Sequence, residues 1–365
     1  MPKIFFSVGE ISGDLYAGPI INHLIKLNVS PSEIFAIGGP TMKQTGIQII
    51  KEIGNLQVFG FAESILSYCK IRKHLTDIKN NLYAIKPDIF VPVSFSGFNL
   101  PLLKFAKYIG SKVVYLGPPQ IWAWAKFRIK PIKKYCNKVI CLFPFEHKFY
   151  QQLGVNSYYL GNPLTEYVKC DLSKQEISQA LHLQASLDWL TFMPGSRPAE
   201  INAHLPLILK IIRQLQKDYP GKFEYIVLTN IARVPKNLSN IYFGTQYKYE
   251  LMAHSKFISL CSGTASLEAT ILNVPFISFY RLSPITYLIA KTAVKIPYFT
   301  LTNILANKKV VQEFAQPKFR VLYKCIKQYI NNESVLKYIQ NELKEVKQSL
   351  ILPNSAKNIA RAIIE

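Results

Sequence analysis

The stretch from Phe257 to Arg281 most constrains the fold. A short apolar run, Phe257 to Cys261, meets Ser262-Gly263-Thr264 and then the good helix formers Ala265 to Leu272. Asn273-Val274-Pro275 ends that helix, and Phe276 to Tyr280 is apolar again. Strand, tight turn, helix and strand in this order make the unit of a parallel sheet. A glycine between two hydroxyl residues lets a ligand approach the backbone closely. A helix starting at a strand's carboxyl end aims free N–H groups and partial positive charge at one spot, which suits a phosphate. Ser262 or Thr264 is the expected N-cap. Glu268, one turn in, is placed to accept hydrogen bonds from two vicinal sugar hydroxyls. An ordinary βαβ turn has the same pattern, so both readings stand here.

The same grammar recurs along the chain. Lys3 to Val8 is an apolar strand, followed by Gly9-Glu10-Ile11-Ser12-Gly13-Asp14 and a helical pattern from Leu15 to Leu27. Two glycines and two carboxylates thus lie at a strand's carboxyl end, where open α/β sheets bind ligands, though not in the GxGxxG spacing of dinucleotide sites. Ser12 or Asp14 either caps the helix or contacts a substrate. Ile34 to Ile37, Ile89 to Val93, Lys112 to Leu116, Val139 to Phe143 and Ser157 to Leu160 read as further strands. Ser94 to Asn99 reads as a loop and Pro144-Phe145-Glu146 as a turn. A polar helix, Leu172 to Leu183, leads into a second unit that opens with strand Trp189 to Met193 and Pro194-Gly195-Ser196-Arg197-Pro198. Pro198 suits a first helical turn; Arg197 suits either a diphosphate or a local ion pair with Glu200. A hydrophobic helix is expected around Ile285 to Ala293, and amphipathic helices at Val321 to Ile330, Val335 to Leu350 and Ala356 to Ile364.

With 365 residues and a hydrophobic fraction of 49%, two α/β domains can each bury a core. The boundaries read as 1–168, 169–345 and a closing segment 346–365 that packs back on the first domain. No apolar run is long enough for a membrane span, and the first residues lack the pattern of a signal peptide. The six cysteines are scattered without a CxxC pair, which points to a reducing compartment and no metal site. A net charge of +22 calls for an anionic partner, unless it only reflects a composition rich in Lys. Trp122 and Trp124 sit beside Lys126, Arg128, Lys130, Lys133 and Lys134, residue types suited to a membrane interface, to nucleic acid, or to a core pair beneath a solvated basic face. No nucleic-acid-binding motif accompanies the charge, so no nucleic acid is expected as partner.

Eight motifs in order carry a resemblance over essentially the whole chain. They are Gly9–Asp14, Ile37–Met42, Val58–Glu63, Gln120–Trp124, Phe143–Glu146, Met193–Arg197, Ser262–Glu268 and Leu301–Ala306. Together the chain resembles the lipid-A-disaccharide synthases. The resemblance implies a glycosyltransferase-B fold, two Rossmann-like domains facing a cleft. It implies an inverting hexosyltransferase of lipid A and lipopolysaccharide synthesis in Gram-negative bacteria. Such an enzyme moves 2,3-diacylglucosamine from UDP to 2,3-diacylglucosamine 1-phosphate, forming a β-1,6 linkage. It works from the cytoplasm, peripherally on the anionic inner membrane, with no cofactor. Carried onto this chain, Arg197, Ser262, Gly263, Thr264, Glu268, Asn303 and Glu313 belong to the UDP-sugar site. Ser12, Gly13, Trp122, Trp124, Lys126 and Arg128 belong to the acceptor and membrane side, and Glu10 and Asp14 line the acceptor site. Arg197 and helix N-termini would stabilise the leaving diphosphate without a metal.

Two positions depart from the family pattern. Its loop after the central strand carries an aspartate, the proposed general base, where this chain has Ser94, and an unassisted serine is a poor base at neutral pH. Asn162 stands in Gly161-Asn162-Pro163 where a histidine is usual. Glu10, Asp14 or Asp88 is then the replacement base, with Asp88 at the wrong end of its strand. The alternatives are a relative that binds UDP-sugar or lipid without turnover, and an epimerase-like enzyme with a soluble substrate.

Overall fold

The computed structural model describes residues 1–53, 65–123, 126–230, 240–282, 287 and 297–365, without the side chains of 65–72. The Val58–Glu63 motif, Trp124 and the helix expected around Ile285 to Ala293 lie outside the described residues. The chain divides into two compact units. The first comprises Met1–Tyr167 and Leu350–Glu365; the second comprises Val168–Tyr287 and residues 297–349.

The first unit is built on a seven-stranded sheet whose strand pairs are all parallel. In chain order its strands are β1 (Ile4–Val8), β2 (Ile34–Gly38), β3 (Gln48–Glu52), β4 (Ile89–Val93), β5 (Lys112–Leu116), β6 (Lys138–Cys141) and β7 (Ser157–Tyr159). The spatial order is β3-β2-β1-β4-β5-β6-β7. β1 and β4 are buried along their whole length, which is why both read as unbroken apolar runs rather than alternating ones. Phe5, Phe90, Phe98, Leu102 and Tyr115 share one core. Helix Ser355–Ile364 packs on helix Ile11–Lys26.

The second unit has six parallel strands: β8 (Asp188–Met193), β9 (Phe223–Leu228), β10 (Ile241–Gly244), β11 (Ser255–Cys261), β12 (Phe276–Tyr280) and β13 (Glu313–Ala315). Their order is β10-β9-β8-β11-β12-β13. Trp189, Phe192, Ile208, Ile258 and Phe276 form its centre.

In each sheet the chain starts in the middle, winds to one edge, then returns to build the other side. Strand order therefore reverses between β1 and β4, and again between β8 and β11. The crevice outside the carboxyl ends at such a reversal is where open α/β sheets take ligands. The glycine-bearing turns after β1, β4, β8 and β11 are the segments that line these two places.

Some boundaries differ from expectation. Helix Ile11–Lys26 already contains Ser12, Gly13 and Asp14, helix Ser96–Tyr108 begins inside the expected loop, and Pro144 opens a helix, Pro144–Gln152, instead of a turn.

Candidate active site

At the reversal of the first sheet, Val8 of β1 lies opposite Val93 of β4, so Gly9-Glu10 and Ser94-Phe95 leave the sheet side by side. They touch: a Cβ on Gly9 would stand 2.0 Å from the Phe95 ring, so only glycine fits there. Ser94 and Phe95 both adopt left-handed backbone angles, φ 48° and 36°. For residues with a side chain this costs about 1–3 kcal/mol each and persists only where the surroundings enforce it. Here they do. Ser94 N–H donates to Leu116 O (2.8 Å), while Ser94 O accepts from Asn99 Nδ2 (3.0 Å) and the Tyr115 hydroxyl (2.9 Å). Buried Asn99 also donates to Ser7 O and Val93 O and accepts from Ser7 Oγ, which staples the ends of β1 and β4 together. Arg128 Nη1 donates to Ser96 Oγ at 2.8 Å. Burial holds the Tyr115 phenol well above its ordinary range, with Arg128 and Glu10 near enough for their charges to act on it. Tyr115 therefore stays a donor. The turn after β4 is thus a pre-shaped corner, with half-buried Glu10, Ser94 and Ser96 on it.

Asp14 is not on that corner. It is 1% exposed, and its carboxylate accepts the backbone N–H groups of Gly39 (2.8 Å), Thr41 (2.8 Å) and Met42 (3.1 Å). Hydrogen bonds to a charged group are worth roughly 1.5–3 kcal/mol each, so freeing this carboxylate for proton transfer is costly. The candidacy of Asp14 as base is corrected on that ground. Nor does it or Ser12 cap its own helix; Glu10 is the N-cap residue there, without a side-chain cap bond. Gly13 is buried against Val8 and Val93, and its role is close packing of helix on sheet. Asp88 accepts from Lys3 N–H at the start of β4, the far end from the crevice.

Trp122 is half-buried and held by two side chains. Its Nε1 points to Glu146 at 3.4 Å, and its ring meets Phe145 edge-on at 5.0 Å, while Phe145 stacks on Phe143. It is a packed ring. Burial pushes the Glu146 carboxyl up to about 8. Lys126 and Phe127 are exposed, Phe127 by 71%. Asn162 is fully buried; it donates to Leu142 O and accepts from Leu164 N–H, so this departure falls on a side chain bonded into the fold.

At the reversal of the second sheet, helix Thr264–Ile271 opens on Gly263, whose φ of 143° is a glycine conformation, and no side chain caps it. The capping expected of Ser262 or Thr264 is corrected: the Ser262 hydroxyl donates to Phe299 O instead. Across from it, helix Pro198–Asp218 starts after β8. Glu200 accepts the N–H groups of Ser196 and Arg197 and the Tyr280 hydroxyl, and stands 3.7 Å from Arg197 Nη1. The ion pair weighed for Arg197 is present. It is long, and Arg197 remains 36% exposed at the rim. His204, one turn further along, was not singled out in the sequence. It is completely buried; its Nδ1 lies 2.7 Å from Pro194 O, and its Nε2 accepts Arg281 N–H at 2.9 Å. A neutral imidazole protonated on Nδ1 satisfies both contacts, and burial lowers its pKa accordingly. It ties the loop after β8 to the end of β12.

Three expected ligand residues are occupied by the protein itself. Glu268 is 2% exposed on its side chain, with Lys248 Nζ at 2.7 and 2.6 Å from its two oxygens and Tyr249 donating at 3.2 Å. Breaking a buried pair of this kind costs roughly 3–5 kcal/mol, so any hydroxyl that Glu268 accepts would have to be accepted alongside Lys248. The Asn303 amide makes four bonds, to Val311 O, the Glu313 carboxylate, Val310 N–H and Val311 N–H. Glu313 accepts the N–H groups of Phe299 and Thr300 together with the Thr300 hydroxyl. Both build the loop that Ser262 leans on. No local sequence signal marks the Lys248–Glu268 pair, since the partners come from different βα units.

The sequence model described as "Lipid-A-disaccharide synthetase" matches residues 4–363. The chain belongs to the lipid-A-disaccharide synthase family. Among its relatives are the lipid-A-disaccharide synthases of Persephonella marina, 32% identical, and of Sulfurihydrogenibium, 31% identical, each alignment covering 100% of this chain and 99% of the relative. The family is one of glycosyltransferases. Among solved structures, the chain is similar to UDP-GlcNAc 2-epimerase from Neisseria meningitidis bound to UDP-GlcNAc, with TM-score 0.68 and 14% identity over 99% of both chains. It is also similar to the Methanocaldococcus jannaschii UDP-GlcNAc 2-epimerase in complex with UDP-GlcNAc and UDP, with TM-score 0.63 and 14% identity over 99% of both. At that identity the likeness concerns the fold, which is of glycosyltransferase-B type. The lipid-A-disaccharide synthase family and the epimerases thus share a scaffold of two parallel-sheet units.

Proposed function

We propose that this chain transfers 2,3-diacylglucosamine from UDP to 2,3-diacylglucosamine 1-phosphate, with inversion, giving the β-1,6-linked disaccharide and UDP. The observation that carries this reading is the second unit's sheet reversal, where an uncapped helix N-terminus at Gly263 and the rim guanidinium of Arg197 suit a diphosphate. The family supports it, and so does a fold whose solved relatives hold UDP or a UDP-sugar. Ser262, Gly263 and Thr264 carry the diphosphate, and Arg197 neutralises it as it leaves. His204, Glu313 and Asn303 shape the loops around them. Glu10, Ser12 and Ser94 line the acceptor side in the first unit, with Trp122 and Arg128 beside them. The exposed Phe127 with Lys126, Lys130, Lys133 and Lys134 faces an anionic membrane surface from the cytoplasm.

Purified protein in detergent, given both lipid substrates, should form the disaccharide and release UDP. Arg197→Ala should lower kcat by about 10²–10³, the usual loss when a donor to developing charge is removed. Bound UDP with no product would instead make the chain a binding relative without turnover. Epimerised UDP-GlcNAc would favour the soluble-substrate alternative.

A further inference from the structure

We propose that His204 is a positioning residue for the UDP diphosphate, its neutral imidazole holding the turn that carries Arg197. The proposal deepens the UDP reading above and rests on it.

The ring is completely buried on helix Pro198–Asp218, on the face that also buries Leu207, Ile208 and Ile211. A polar ring is costly among such neighbours unless both its nitrogens are bonded. Both are bonded, and both to backbone: Nδ1 to Pro194 O at 2.7 Å and Nε2 to Arg281 N–H at 2.9 Å. One tautomer serves the two contacts, since a proton on Nε2 would face the Arg281 N–H. The rings of Phe279 and Tyr280 meet the imidazole edge-on at 5.3 and 5.2 Å and hold its plane.

The two backbone partners bracket the place where a diphosphate would sit. Pro194 opens the turn after β8, Arg281 follows β12, and β11, which leads to Gly263, lies between those strands. One helical turn before His204, Glu200 holds the other end of the turn after β8. It accepts Ser196 N–H at 3.0 Å and Arg197 N–H at 3.2 Å, and the Tyr280 hydroxyl at 2.9 Å. Gly195, inside the turn, has φ 116°, and a Cβ there would stand 2.6 Å from Glu200 Oε2. Glu200 and His204 thus clamp the turn at its N–H end and its carbonyl end, and each also ties it to the end of β12. The Arg197 side chain therefore leaves from a backbone fixed on both sides. A guanidinium recognises phosphate through the placement of its planar fork, so releasing the Pro194 carbonyl would misplace Arg197 toward Gly263.

The test is the UDP affinity of the full chain by titration calorimetry, a readout that does not depend on turnover. Deleting the ring outright would test folding, so each variant keeps one contact. His204→Asn puts its amide nitrogen where Nδ1 stands and still serves Pro194 O. His204→Gln puts its amide oxygen where Nε2 stands and still serves Arg281 N–H. His204→Gln should lose about tenfold or more in UDP affinity, while His204→Asn should stay within about threefold of the parent. In the Arg197→Ala background, His204→Gln should cost less than about threefold, because the residue it positions is gone. A histidine that only supports the core would lower the stability of both variants without separating their UDP affinities. Equal UDP affinity in His204→Asn and His204→Gln, or an undiminished loss in the Arg197→Ala background, overturns the proposal. A parent that binds no UDP removes the UDP site itself, a failure distinct from that of His204.

Discussion

Asp14, Glu200, Glu268 and Glu313 all stand near glycine- or hydroxyl-rich turns, and in the sequence such acids look like ligand groups. In the structure each is consumed by its own fold, three of them by backbone N–H groups at helix starts and one by a lysine. A loop at a strand's carboxyl end exposes several N–H groups that need acceptors, and a nearby carboxylate is the strongest one available. The residue types that suit a ligand are therefore the same ones that build its cradle. Sequence shows the cluster but not which members are spent. Glu146 is another such acid, with a measurable signature. Its pKa of about 8 in the fold lies above the ordinary 4.5, so the folded state holds a proton that the unfolded chain has lost. Stability contributed by this group is full below pH 4.5 and falls as pH rises to about 8, by roughly 1.4 kcal/mol per pH unit. Glu146→Gln cannot titrate. Urea unfolding at pH 5.5 and 8.5 should show the variant gaining on the parent at the higher pH, and a constant difference would contradict the assignment.

At the scale of elements, the inner strands were legible because buried parallel strands are continuous apolar runs. β3 and β13 were not. Both are short edge strands, and Gln-Ile-Ile-Lys-Glu and Glu-Phe-Ala carry too little apolar pattern to stand out. The helix starting at Ile11 was read late, from Leu15, and helix Ser96–Tyr108 was not read, because glycine and serine in a first turn look like loop. Missing too were the tertiary bonds that shape turns, such as Asn99 and Tyr115 on Ser94. The contact between the turns after β1 and β4 makes a prediction at this scale. Gly9→Ala drives a methyl into the Phe95 ring and should destabilise the first unit by about 1–3 kcal/mol, the cost of overpacking. Phe95→Ala removes the obstacle. The double variant should therefore be more stable than the sum of the single losses, measured by a double-mutant cycle in urea.

For the molecule as a whole, part of the basic excess behind a net charge of +22 lies on two helices of the first unit. Helices Ser96–Tyr108 and Ile129–Tyr135 pack against one another in the first unit, and their exposed residues include Lys104, Lys107, Lys130, Lys133 and Lys134. Tyr108, 82% exposed, and Phe127 give this basic face apolar rings. Among the described residues no helix is long and apolar enough to cross a membrane. Surface attachment would then rest on charge and rings, at about 1 kcal/mol per lysine near an anionic leaflet. Reversing Lys130, Lys133 and Lys134 to Glu should weaken binding to phosphatidylglycerol vesicles by at least about 100-fold. Binding to phosphatidylcholine should stay weak throughout. Equal binding of parent and variant would place the contact elsewhere.

The return of residues 350–365 to the first unit also bears on how the chain is born. Helix Ser355–Ile364 covers helix Ile11–Lys26, yet the whole second unit is translated between Tyr167 and Leu350. At roughly 5–20 residues per second, the first sheet waits on the order of 10–40 s for its last layer to leave the ribosome. During that interval the second unit can close on its own contiguous segments, while the first to be synthesised is the last to be finished.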